Sequence, residues 1–155
     1  MSKDSQSLIF IILDRWWDLR TRALTTSLTF PGPITSMELS PQTKRLVVTS
    51  GKTVAFIPAL PNGSVTHSLN LPYSPSSASI HPILQDRFVT GNSGDEWVRV
   101  HGMDGEEREV LKGHHGPVHC VEFSPDGEMY ASGSGRFSHY IYFDLDHLLC
   151  TIPIV

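Results

Sequence analysis

His114, His115 and His119 fall within six residues, and three imidazoles that close together are the first place to look for chemistry. A metal site needs neutral imidazoles converging with other ligands. His115 lies in a turn and His119 on a strand, so the helical i, i+4 arrangement does not apply and no metal is expected. A serine nucleophile needs a base and an orienting group around a strained turn. Gly91-Asn92-Ser93-Gly94 and Gly133-Ser134-Gly135 are glycine-rich, yet neither reads G-x-S-x-G, and both fall where a hairpin must turn. Gly51-Lys52-Thr53 ends like a phosphate-binding loop but lacks its upstream glycine. Cys120 stands beside Val121 and Phe123 with no cationic neighbour in sequence, which reads as a buried packing cysteine. Ser74-Pro75 reads as a turn in a polar connection. Arg15, Arg20 and Arg22 cluster with Trp16 and Trp17, a combination that can stack bases. The repeat described next accounts better for Trp17, and direct RNA contact is not expected. The chain reads as non-catalytic, with no cofactor and no small-molecule substrate.

The elements that hold these residues come round three times. Pro41, Pro82 and Pro125 each close an alternating apolar run, at spacings of 41 and 43 residues. A period of roughly 40–50 residues with several short strands is the mark of a β-propeller blade. Four residues before each proline lie Met37, Ala78 and Val121, and two before lie Leu39, Ile80 and Phe123. Those positions share one face of a strand. Second strands are expected at Arg45–Ser50, Arg87–Gly91 and Met129–Gly133, carrying the hydroxyls Thr49, Thr90 and Ser132. Third strands are expected at Thr53–Ile57, Trp97–His101 and Tyr140–Asp144. Fourth strands follow at Val65–Leu71, Arg108–Leu111 and Leu148–Ile152. Asn62-Gly63, Asp104-Gly105 and Asp126-Gly127 fall between strands, where type I′ turns would place both residues at positive φ. No run of helical periodicity is present, and the stretch 58–77 reads as a surface connection.

Upstream, Trp16-Trp17-Asp18-Leu19-Arg20 and Ala23–Phe30 read as the last two strands of a further unit. The expected fold is therefore all-β, an incomplete propeller ring of three blades and part of a fourth. Residues 1–14 form an atypical N-terminal segment, 15–134 the blades, and 135–155 a divergent tail that could complete the last blade. A ring needs about four blades to close, so the chain reads as a piece of a larger ring; the alternative is a small ring closed by its own two ends.

Composition bounds the partners. The 155 residues carry a formal net charge of −4, with 18% charged and 39% hydrophobic residues. No basic balance steers the chain to nucleic acid, and disorder is not indicated. Two cysteines, Cys120 and Cys150, give no disulfide framework and suit a reducing compartment. The apolar block Leu8–Leu13 is six residues long, far short of the roughly 20 that span a bilayer. It reads as a buried strand or a non-native end. A cytoplasmic location, with no membrane partner, is expected.

Gly113-His114, Phe123-Ser124-Pro125-Asp126-Gly127 and Ala131-Ser132-Gly133-Ser134 resemble a WD (tryptophan–aspartate) repeat, and Trp17-Asp18 supplies the dipeptide that names that family. The resemblance implies a buried hydrogen-bond network in which His114 and Ser132 are two members, with Trp17, Asp18, Asp126 and Gly127 as further structural positions. The turn aspartate of the network is missing at Gly135-Arg136-Phe137, and Phe143 takes the tryptophan position. Within the WD-repeat proteins, Lys112–Ser134 is similar to the last repeat of the serine-threonine kinase receptor-associated family. The i subunit of eukaryotic translation initiation factor three is the runner-up. The first resemblance implies a seven-bladed scaffold that binds proteins of a ribonucleoprotein-assembly complex, the survival-of-motor-neuron complex that loads Sm proteins onto small nuclear RNAs. A nuclear as well as cytoplasmic location goes with that role. Partner-binding residues are not assigned, though loops near Asp95, Glu96, His115 and Arg136 are placed to meet partners.

Overall fold

The structure is a computed structural model that describes residues 7–10, 15–18, 20–60, 63–135, 139–143 and 152–154. It contains β1 (Ser7–Phe10), β2 (Arg15–Asp18), β3 (Ala23–Ser27), β4 (Ile34–Ser40), β5 (Arg45–Ser50), β6 (Thr53–Pro58), β7 (His67–Asn70) and β8 (Pro75–Ile80). These are followed by β9 (Arg87–Asn92), β10 (Trp97–Gly102), β11 (Glu107–Lys112), β12 (Val118–Phe123), β13 (Met129–Ser134), β14 (His139–Phe143) and β15 (Ile152–Ile154). They pair as antiparallel meanders: one sheet of three strands, β1-β2-β3, and three of four, β4 to β7, β8 to β11 and β12 to β15. The fold is an all-β set of propeller blades, a partial blade and three full ones. No helix among the described residues is long and apolar enough to cross a membrane.

Alternation sets the packing. A blade buries both faces, so its middle strands read as continuous apolar runs. In Arg45–Ser50 and Arg87–Asn92 every residue after the arginine is buried. Three apolar layers result, one at each junction. Trp16 of β2 meets Leu46, Val48 and Ile57. Val47, Val54 and Phe56 meet Ala78, Ile80 and Phe88. Val89, Val98 and Val100 meet Val118, Val121, Phe123 and Tyr130. Each layer joins a blade to the one before it, as expected when a unit cannot cover its apolar face alone.

Several expectations are corrected by this packing. Leu39 shares its repeat position with Ile80 and Phe123, yet it is 52% exposed where they are 1% and 7%. Among the described residues, the layer built on Trp16 of the preceding sheet takes in Ile34 and Met37 but not Leu39. Cys120 is exposed, not buried. Its counterpart Ser77 is 4% exposed because the inner strand of the next blade covers it, and no described strand lies over that side of β12. The turns also differ from type I′. In the Asp104-Gly105 and Asp126-Gly127 turns the glycine alone takes positive φ (87° and 75°), and its N–H donates to Gly102 O and Ser124 O respectively, at 2.9 Å each. That is a type I turn closed by a left-handed glycine, the device of three- and four-residue hairpin loops. Asn62, Arg136 and Asp144 lie outside the described residues. The last strand is Ile152–Ile154, so the expectation of Leu148–Ile152 is shifted, with 148–151 outside the described residues.

Candidate functional site

His114 and Ser132, singled out in the sequence, meet. His114 Nε2 lies 2.6 Å from Ser132 Oγ, both side chains buried, so the connection between β11 and β12 is tied to β13. Asp126 and Gly127 form the turn that follows. Asp126 Oδ1 accepts from Ser124 Oγ (2.5 Å) and from the N–H of Glu128 (3.1 Å), which hold its carboxyl below the usual range. A Cβ on Gly127 would run into the His81 ring of the preceding blade. Asp18 ends β2 and accepts from the N–H groups of Arg20 and Thr21 at 2.8 and 3.3 Å, which lower its pKa. Trp17 is half-buried, while its neighbour Trp16, 4% exposed, carries the packing against the next blade. By register Tyr142 stands opposite Tyr130 as His101 stands opposite Phe88, so Tyr142, not Phe143, occupies the tryptophan-equivalent place.

The middle blade holds a second network that no sequence motif announced. Tyr73 OH lies 2.8 Å from Thr90 Oγ1 and 2.6 Å from His101 Nε2. Burial pushes the Tyr73 hydroxyl up to about 12, against hydrogen bonding from Thr90, and burial lowers His101, which keeps its ring neutral. Arg99 is sandwiched beside this pair, 4.3 Å from the Tyr73 ring centroid and 5.0 Å from that of Trp97. Its guanidinium holds Asp95 with both Nη atoms and reaches Glu107 at 3.1 Å. Burial alone would raise the Asp95 carboxyl, but the Arg99 hydrogen bonds and charge and the Trp97 N–H outweigh it. Asp95, a loop residue placed to meet partners, is thus committed to internal structure. Glu96 and His115 are exposed, and Arg136 lies outside the described residues.

The inner strands carry the third arrangement. Each has a β-bulge at the same place, between Ile34 and Ser36, Pro75 and Ser77, and Val118 and Cys120. A bulge re-aims the extra residue, and here that residue is Thr35, Ser76 or His119. Thr35 Oγ1 donates to Pro75 O of the next blade (3.0 Å), and Ser76 Oγ donates to Val118 O of the one after. Three residues before each proline lie Glu38, Ser79 and Glu122. Ser79 Oγ donates to Glu38 Oε1 at 2.9 Å and accepts from the N–H of Phe123 at 3.0 Å. Burial raises the Glu38 carboxyl to about 7, against the Ser79 hydrogen bond and with help from Glu122. A cavity of about 140 Å³ opens here, with Glu38, Ser40, Gln42 and Glu122 as polar lining and Leu39, Ile80, Phe123 and the turn prolines as apolar walls. The aligned Glu-Ser-Glu positions were the available signal, hidden because only residues flanking them are apolar.

The remaining candidates separate. His115 and His119 are exposed, His114 is bonded to Ser132, and no group of three metal-ligating side chains converges among the described residues. Asn92 Oδ1 accepts from the N–H of Gly94 at 3.0 Å, so Gly91–Gly94 is a hairpin turn with Ser93 exposed. Trp16 is buried and cannot stack a base beside Arg15, Arg20 and Arg22.

Comparison with known proteins agrees with the blade geometry. Residues 105–140 match the WD domain, G-beta repeat family. The match begins before β11 and ends in β14, so the sequence repeat is staggered by one strand from the sheet and its first strand completes the previous blade. Over 77% of its length the chain is 43% identical to the serine-threonine kinase receptor-associated protein of Bos taurus and 45% identical to that of Dictyostelium discoideum. It spans 34% and 40% of those two relatives. Eukaryotic translation initiation factor 3 subunit I of Culex quinquefasciatus is 31% identical over 77% of the chain, which spans 40% of that protein. Residues 105–140 thus carry a WD repeat, set among sheets of the same four-stranded build.

Proposed function

We propose that the chain is part of a non-catalytic scaffold that assembles spliceosomal small nuclear ribonucleoproteins within the survival-of-motor-neuron complex, in the cytoplasm and the nucleus. WD repeats serve protein–protein interaction, since a propeller presents loops and short strand edges on a rigid frame. The observation that carries the finer reading is the identity of 43% over 123 residues to a serine-threonine kinase receptor-associated protein, against 31% over 135 residues for an initiation factor 3 subunit I. The name of the serine-threonine kinase receptor-associated relatives adds association with such a receptor to the proposal. The described side chains are consistent with scaffolding. Their strongest polar networks, around Tyr73 and His114, are buried and hold strands in register.

Affinity capture of the full-length protein from cell extract, with mass spectrometry of the co-purifying proteins, tests the proposal. Sm-core assembly proteins are the expected recovery. Recovery of translation initiation factor 3 subunits in their place would overturn it and favour the second reading.

A further inference from the structure

The turns that follow the inner strands gather on one face. Gln42 Nε2 donates to Pro125 O at 3.3 Å, bridging 83 residues, and the His81 ring packs 5.2 Å from that of Phe123. The cavity of about 140 Å³ opens among these turns. Glu38 and Glu122 stand at one repeat position on the first and third inner strands, with Ser79 between them. Neither carboxylate has an ion-pair partner among the described residues. Ser40 is a separate observation. It lies two residues beyond Glu38 and so projects to the same side of β4, it is only 3% exposed, and it lines the cavity. Its Oγ has no hydrogen-bond partner among the described residues. A buried hydroxyl left in that condition is unfavourable, so an incoming donor is favoured there. The walls are largely apolar, and Ile83 and Leu84, which follow the lining residue Pro82 in the chain, are each 59% exposed.

We propose that this cavity receives a single lysine or arginine side chain from a partner protein. The aliphatic stem lies against Leu39, Phe123 and the turn prolines, and the cationic head sits between Glu38 and Glu122 with an N–H donated to Ser40 Oγ. Long basic side chains are built for such a place, apolar along the stem and charged at the tip. No group of three metal-ligating side chains converges here among the described residues, which argues against a metal ion as the occupant. The chain's net charge of −4 favours approach of a basic segment. This deepens the scaffold reading by naming the partner's chemistry, and it rests on that reading.

Ligand-observed NMR on the full-length protein tests it with three probes: N-acetyl-lysine N-methylamide, its arginine counterpart and its norleucine counterpart. A cationic probe is expected to bind and the norleucine probe to give no signal. Glu122→Gln, an exposed change that leaves packing intact, is expected to weaken binding about threefold, and Glu38→Gln about tenfold. Equal binding of norleucine overturns the proposal, as does cationic binding indifferent to both variants. So does the absence of any signal from either cationic probe at about 10 mM. The probes are read without cell extract, so this test can fail while the capture experiment succeeds, or hold whichever complex is recovered.

Discussion

Burial of Glu38 beside Ser79 and Glu122 holds its carboxyl near 7 in the folded chain, against an ordinary value of 4.5. The folded state therefore binds this proton more tightly than the unfolded state between those two values, and linkage makes stability fall as pH rises through that window. Thermal melts of the wild type at pH 5 and pH 7.5 are expected to show this loss. Glu38→Gln, which keeps the oxygen that accepts from Ser79, is expected to flatten the difference. A variant with the same pH slope as the wild type would refute the assignment. Residues of this kind were the hardest to read from sequence. His114 and Ser132 were visible because both sit in one contiguous motif. Tyr73 was hidden because it reaches Thr90 from a different distance before its proline than His114 does. Leu39 and Cys120 were misread because their burial is decided by a neighbouring blade and not by their own strand.

Strands and turns were the most readable level. Arg45–Ser50 is found at its expected bounds, and Thr53–Pro58, Arg87–Asn92, Trp97–Gly102 and Met129–Ser134 each run one residue further. Period-2 alternation and glycine-closed turns are local signals, so they survive in a single sequence. The bulge at Thr35, Ser76 and His119 was not readable, since a bulge leaves the alternation almost unchanged. Ser76 Oγ donates to Gly91 O within its own blade and to Val118 O of the next. Ser76→Ala is expected to cost about 1 kcal/mol. Hydrogen exchange should quicken in β8 and β12 while β5 and β6 keep their protection. Uniform loosening of all strands would mean that the bond does not act at the blade junction.

Across the whole molecule, three apolar layers stack like a short linear array, so stability is expected to pass from neighbour to neighbour. Phe56 is fully buried in the layer between the first two full blades, 5.4 Å from Phe88 in ring-centroid distance. Phe56→Ala is expected to destabilise by about 3–5 kcal/mol. Limited proteolysis should open β4 to β7 before β12 and β13, whose own layer with β9 and β10 is untouched. Simultaneous cleavage throughout would show a single cooperative unit. The hydroxyl bonds at the bulges add a direction to this array, because the first two full blades each donate to a carbonyl 40 or 42 residues later in the chain. During synthesis that acceptor does not yet exist when its donor leaves the ribosome. At about 5–20 residues per second, each nascent blade waits roughly two to eight seconds for its successor. Over that interval its forward face is open to whatever chaperone attends the exit tunnel.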